Sequence, residues 1–377
     1  MERSGTARSD TARSATARSG RVLVAGASGV VGEAALRHFA GLDGWEAVGA
    51  SRRPPRDVEP ATWVALDLAD RARCSEVLGR LGGVTHLVYA AVSEAPGLVA
   101  GWHDPARIEA NRRMFEHVLD AVADGPLEHV SLLQGTKAYG VHVAEVPIPA
   151  RERAPRHPHD NFYFEQEDLL RRRARTSSWA WTILRPQVVF GDALGSNMNL
   201  IPVLGVYGAL LKQAGEPLHF PGGAPSVSEA VDADLLAVAI EWAATSPAAR
   251  NEVFNITNGD VFVWRDVWPA IATALGMAPG EHRPHSLAAA LDRAGDRWAA
   301  LAADHHLLAP TRLAEVVGQS PIYADMLLGH GRDRAPLPAL VSTIKIRQAG
   351  FGACTDTEEM FGRWLARMQQ RRLLPPP

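Results

Sequence analysis

The sequence predicts a doubly wound α/β fold: a parallel sheet with helices on both faces, and a smaller, mostly helical lobe from the C-terminal part of the chain. Three observations predict it. Strand-like apolar runs alternate with polar segments of helical spacing. The runs are continuously apolar, as strands buried on both faces must be. The first run ends in glycines that lead straight into a helical pattern, the arrangement of a parallel sheet wound with helices.

Taken in order, RVLVAGASG (21–29) is a β-branched strand, and VVGEAALRHFAGL after it has helical spacing. EAVGAS, WVALDL, THLVYAAV, HVSLLQ and WTILRP follow as strands, with helical segments near 70–82, 105–123 and 161–175 between them. After residue 191 the pattern loosens into loops rich in proline and glycine, with one more strand-like run at 252–257 and helical stretches at 286–304 and 357–370. The expected organisation is a disordered leader over 1–19, a dinucleotide-binding domain over 20–195 joined by the returning strand near 252–257, and mainly a substrate lobe over 196–377.

The leader, MERSGTARSDTARSATARS, repeats a TARS unit without apolar periodicity, so it has no surface whose burial offsets the entropy of ordering. Its Arg, Ser and Thr bias is also that of an organellar transit peptide. The whole chain of 377 residues is 46% hydrophobic and 21% charged, with net charge -3 and pI near 6.5. That balance suits a globular protein and lacks the basic field a phosphate backbone demands. Two cysteines, Cys74 and Cys354, form neither a disulfide framework nor a metal pattern. The longest apolar stretch, IPVLGVYGALL at 201–211, is about half the roughly 20 residues of a spanning helix. A cytoplasmic protein without nucleic acid or membrane partners is expected.

Gly26, Gly29 and Gly32 form a G-x-x-G-x-x-G turn between strand and helix. Such glycines let backbone approach a pyrophosphate, and the helix N-terminus supplies N–H donors and positive dipole. The second strand ends in Ser51, Arg52 and Arg53, where an acid would bind the ribose hydroxyls of NAD; paired guanidiniums there favour the 2′-phosphate of NADPH. Asp67 and Leu68 after the third strand fit an adenine-edge contact, or Asp67 a helix cap.

Lys137 is one of only three lysines in an arginine-rich chain. A lysine is a compact ammonium whose pKa burial can move, and arginine cannot substitute for it at a chemical site. Lys212 and Lys345 read as solvated surface charges, and so do His157 and His159, whose spacing beside Asp160 matches no usual metal site. Asn161 reads as a helix cap and Asn111 as a structural polar residue.

The glycine spacing and LRPQVVFG (184–191) resemble the extended short-chain dehydrogenase/reductase superfamily, whose sheet is the Rossmann fold. None of the five tyrosines is followed four residues later by the lysine that superfamily normally uses; Tyr163 is followed there by Glu167. NFYFEQED (161–168), QGTKAYG (134–140), GASRRP (49–54), SNMNL (196–200) and FNITNGDVFVW (254–264) together resemble the progesterone 5β-reductase/iridoid synthase-like family, over nearly all of 20–370. The resemblance implies that the catalytic lysine at the end of the fifth strand is Lys137 and the catalytic tyrosine opening the next helix is Tyr163. It implies reduction of an α,β-unsaturated carbonyl compound, a small enone or enal, at its β-carbon by NADPH. The expected cofactor-binding set is Gly26, Ser28, Gly29, Val30, Val31, Gly32, Ser51, Arg52, Arg53, Asp67, Leu68, Ala91, Val92, Gln134, Lys137, Tyr163, Val189, Ser196, Asn197 and Met198, with no metal.

The run after Lys137 lacks the Pro-Phe pair of plant members, so their steroid or iridoid-precursor substrates do not carry over. A nucleotide-sugar epimerase or dehydratase, a carbonyl reductase and a non-catalytic NADP-binding protein are the alternatives. A homodimer is one open assembly.

Overall fold

A computed structural model describes residues 19–94 and 102–377. Apart from Ser19, the leader lies outside the described residues. The chain then runs β1 (Gly20–Ala25), α1 (Val30–Ala40), β2 (Trp45–Ser51), β3 (Thr62–Ala65), α2 (Arg71–Leu81), β4 (His86–Tyr89), α3 (Pro105–Val122), β5 (His129–Leu133), α4 (Phe162–Ala174) and β6 (Ala180–Pro186). After α5 (Leu200–Gln213) and α6 (Ala233–Thr245), the strand Glu252–Ile256 returns to pair with β6.

The seven strands form one parallel sheet in the order Glu252–Ile256, β6, β5, β4, β1, β2, β3. The winding reverses between β1 and β4, and in such sheets ligands bind beyond the carboxyl ends of the strands at that reversal. Side chains alternate between faces as the pleat requires. Leu23, Val48, Leu87, Val130, Leu132 and Ile183 pack with Phe115, Val118 and Leu169 of α3 and α4. Val22, Val24, Ala47, Val88, Leu184 and Phe254 pack on the other face with Leu36 and Phe39 of α1 and Leu236 and Ile240 of α6. Both faces are covered over β1, β2, β4, β5 and β6, which explains their apolar runs, while the edge strand β3 is largely exposed.

Four of these helices, α2, α3, α4 and α6, start where a side-chain oxygen satisfies one of their first free N–H groups. Asp70 accepts from Arg73 N, Asp104 from Ala106 N, Asn161 from Tyr163 N and Asp232 from Asp234 N. Asp70, not Asp67, therefore caps α2. A separate large core is built by α5 and the C-terminal helices around Trp264, Trp268, Trp298, Phe361 and Trp364. The stretch expected as one helix over 286–304 is two, Leu287–Asp292 and Gly295–Asp304. The break lets Leu287 and Leu291 of one and Trp298 and Leu301 of the other face this same core. Among the described residues no helix is long and apolar enough to cross a membrane.

Candidate active site

A cavity of about 780 Å³ opens at the reversal point and runs from the glycine turn to the far wall formed by the C-terminal helices. Its volume lies within the range of small-molecule and cofactor sites. At one end Gly26 adopts φ +87°, and a Cβ there would lie 2.7 Å from Ala91 N. A Cβ on Gly32 would run into Gly26 O, so this glycine serves the close packing of helix on strand and does not line the cavity. Gly29 differs. A Cβ there would meet nothing closer than 3.4 Å, and no side chain caps the helix it begins. The open space above Gly29 and the start of α1 suit an anionic group such as a pyrophosphate.

Ser28, Val30 and Val31 line this end with Gly26 and Gly29. Ser196 reaches it from the SNMNL segment and accepts a hydrogen bond from Val30 N at 3.2 Å. Ser51, Arg52, Arg53, Asp67 and Leu68 form the side of the cavity beyond β2 and β3. Ser51 Oγ donates to Arg53 O at 2.6 Å, and Arg53 donates to Gly195 O at 3.3 Å. Arg52 is exposed and has no acidic partner among the described residues.

The other end is assembled from loops. Ala91 and Val92 follow β4, Gln134 and Lys137 follow β5, Tyr163 opens α4, and Val189, Asn197 and Met198 follow β6; all line the cavity. Two amides fix the geometry of this corner. Asn161 caps α4 by accepting from Tyr163 N and donates to Lys137 O at 2.9 Å, tying the end of β5 to the start of α4. Gln134 donates to Tyr163 O at 2.9 Å and accepts from Arg185 Nε at 2.9 Å.

Lys137 and Tyr163 share Trp102 as a buried back wall. The Lys137 ammonium lies 3.9 Å from the centroid of the Trp102 ring, and the Tyr163 ring meets Trp102 edge-on at 5.3 Å. Lys137 Nζ also approaches Met198 Sδ at 3.4 Å. Burial pushes the Lys137 pKa down to about 8, against the pull of the Glu94 carboxylate. The Tyr163 hydroxyl makes no hydrogen bond among the described residues, and a Cβ on Gly135 would lie 3.5 Å from it. Burial raises its pKa, with smaller contributions from Glu94 and Tyr323. Glu167, one turn after Tyr163, is engaged elsewhere by Arg185 and Arg171.

Three residues of this corner escaped the sequence reading: Glu94, Trp102 and Tyr323. Glu94 lies five residues beyond β4 and Tyr323 in the C-terminal helix Ser320–Leu327, so no local motif announces either. Acidity directly after an apolar strand end was the one available signal for Glu94. His157 and His159 are not solvated as expected: both are half-buried, ring against ring, in a cluster with His142 and His103. Proline-flanked loop spacing gave no sign that this loop folds back on the Lys137 turn. Among the described residues no group of three or more His, Cys, Asp or Glu is arranged to hold a metal ion.

A family model, the PRISE-like Rossmann-fold domain, matches residues 76–314. An (S)-8-oxocitronellyl enol synthase of Antirrhinum majus is 31% identical over 94% of this chain and 92% of its own length. A 3-oxo-Δ(4,5)-steroid 5β-reductase of Arabidopsis thaliana is 33% identical over 68% of this chain and 69% of its own. Among solved structures, the UDP-glucose 4-epimerase of Thermotoga maritima superposes with TM-score 0.63 at 16% identity, covering 93% of this chain and 99% of that one. The epimerase of Thermus thermophilus, solved with NAD, gives 0.63 at 18% over 93% and 99%. At such identities these structures establish the fold alone, a Rossmann fold.

Proposed function

The chain belongs to the PRISE-like Rossmann-fold family, and on that premise we propose that it is an NADPH-dependent reductase of activated C=C bonds, acting on small enones and enals. The observation that carries this reading is the convergence of Lys137 and Tyr163 on one cavity that begins at the glycine turn. A relative whose name describes reduction of a 3-oxo-Δ(4,5)-steroid supports the chemistry.

The residues fit a nicotinamide dinucleotide. Gly26 and Gly29 with the start of α1 would hold the pyrophosphate, and the free Arg52 beside Arg53 would hold a 2′-phosphate. When bound, the nicotinamide supplies a hydride.

Hydride arriving at the β-carbon drives negative charge onto the carbonyl oxygen. Tyr163, with its hydroxyl unengaged, donates a hydrogen bond to that oxygen as charge develops. Such a donor acts more strongly in a site from which water is excluded. The Lys137 ammonium would stabilise the same charge and hold the ribose of the bound dinucleotide, and Trp102 closes the wall behind Lys137 and Tyr163. Residues 196–377 mainly furnish the substrate-facing side, with Tyr323, Met326 and Leu327 on the cavity wall.

The test is an NADPH-oxidation screen over enones and enals of graded size with product identification. A saturated carbonyl product supports the reading. An allylic alcohol would make the protein a carbonyl reductase, and dinucleotide binding without turnover of any compound would make it a non-catalytic NADP-binding protein.

A further inference from the structure

Two acids in the described residues, the buried Glu33 and the half-buried Glu94, carry a buried oxygen without a hydrogen-bond partner and a raised pKa, and their surroundings differ. Glu33, on α1, is pushed up to about 7 mainly by burial and then by Asp192, but it sits near Arg37 and Arg371 and accepts from Arg56 N at 3.3 Å. It does not line the cavity. Glu94 does. One of its oxygens, Oε2, accepts from Asn197 Nδ2 at 2.7 Å; the other, Oε1, is buried and unpartnered. Its charge acts on three groups of the catalytic corner, raising the phenols of Tyr163 and Tyr323 and drawing Lys137 up.

Resting on the ene-reductase reading, we propose that Glu94 is the catalytic acid that protonates the α-carbon, so that the product leaves as the saturated carbonyl compound and not as its enol. After hydride addition, the substrate has gained a C–H bond at Cβ and the two electrons of reduction, and its former C=C pair is spread over Cα and the carbonyl oxygen. The enolate then takes the proton of Glu94. The carboxyl O–H bond breaks, a Cα–H bond forms, the C=O bond is restored, and the carboxylate left behind regains a proton from solvent. The dinucleotide, having given up the hydride, is the species oxidised.

The arrangement suits this role in two ways. Burial raises the Glu94 pKa, with the Asn197 hydrogen bond and Lys137 opposing, so the group holds its proton into the range where an ordinary carboxyl has lost it. A neutral acid also does not repel the enolate, whereas an ionised one would oppose the charge that Tyr163 is placed to receive. Asn197 holds the carboxyl through Oε2 on the wall of the cavity.

The reverse half of the step tests the proposal without redox turnover. Saturated ketones corresponding to the products are incubated in D2O with NADP⁺ and the protein, and α-hydrogen exchange is followed by NMR. The expected result is exchange at one face of Cα, faster as pH rises and Glu94 ionises, and slowed on the order of a hundredfold or more in Glu94→Gln, with partial recovery in Glu94→Asp. Exchange undiminished in Glu94→Gln would overturn the proposal. The forward reaction in D2O needs no variant, so a Glu94→Gln protein that fails to fold does not protect the idea: the wild type must place deuterium on one face of Cα, and equal labelling of both faces refutes it. A wild type that reduces no C=C bond refutes the reductase reading and this inference with it, whereas normal reduction with an unaltered Glu94→Gln product and rate refutes the Glu94 role alone.

Discussion

The two ends of the cavity are built on different principles. The end at the glycine turn is made of backbone and satisfied polar groups: Gly26 and Gly29 set the path of the chain, Ser196 accepts from Val30 N, and Ser51 and Arg53 are hydrogen-bonded in place. The other end is made of side chains held away from their ordinary ionisation. Lys137 is pushed down to about 8 by burial, Glu94 and the phenols of Tyr163 and Tyr323 are pushed up, and one Glu94 oxygen has no partner. Perturbed and unsatisfied groups collect where chemistry is done. The first end should therefore govern which dinucleotide binds and how tightly, and the second how fast a bound substrate reacts.

The sharpest way to break this division is Tyr163→Phe. The hydroxyl has no hydrogen bond to lose, so the fold and dinucleotide affinity should be nearly unchanged. Loss of one preorganised donor to a developing oxyanion should lower kcat on the order of a hundred- to a thousandfold. Stopped-flow NADPH oxidation beside a dinucleotide titration checks both halves, and a variant that turns over like the wild type would remove Tyr163 from the chemistry.

The same division explains what was legible in the sequence. The sheet and its order of elements follow from local pattern: apolar runs, caps such as Asp104 and Asn161, and glycines at a strand end are statements about neighbouring residues. Most of the turn was readable for that reason, although spacing could not tell that Gly32 serves packing while Gly29 faces open space. The far end depends on contacts across long sequence separations. Glu94 meets Asn197, and Trp102 backs both Lys137 and Tyr163, and no period or motif encodes such meetings. Lys137 stood out as a rare lysine, but its role and Tyr163 entered only through resemblance to a family, and Glu94 and Tyr323 not at all. The single helix expected over 286–304 failed differently: its helical pattern was real, but tertiary packing on the core around Trp298 divides it.

Substitutions at the glycine-turn end should sharpen the contrast. Replacing Arg52 and Arg53 by Ala should weaken NADPH binding roughly 10- to 100-fold, the loss of a charge-assisted contact of about 1.5–3 kcal/mol, and leave NADH binding unaltered. Arg52 should dominate, since Arg53 also serves Gly195; equal weakening for both dinucleotides would deny the 2′-phosphate role. Gly29→Ala is the subtler change. The added methyl has room in the free protein, so the melting temperature should hold while dinucleotide affinity falls about tenfold, a loss of roughly 1.4 kcal/mol. Gly26→Ala must instead lower stability, because its φ of +87° and the 2.7 Å approach to Ala91 N both exclude a Cβ.

The smallest expected effect is a pH dependence, and its sign is specific. An ordinary lysine keeps its proton to about 10.5, whereas burial brings Lys137 to about 8. kcat/KM reports ionisations of the free enzyme. It should therefore be halved near that pH and fall about tenfold per unit above it, as the ammonium is lost. Unfolding cannot mimic this loss. The unfolded chain holds the Lys137 proton more tightly than the native protein, so this group makes the fold more stable as pH rises from about 8 to 10.5. Because Glu94 is the one group opposing the shift, Glu94→Gln should move the break to lower pH. A break that stays where it is in that variant would mean that the two side chains do not share a field, and the catalytic end would lose the coupling that distinguishes it from the glycine turn.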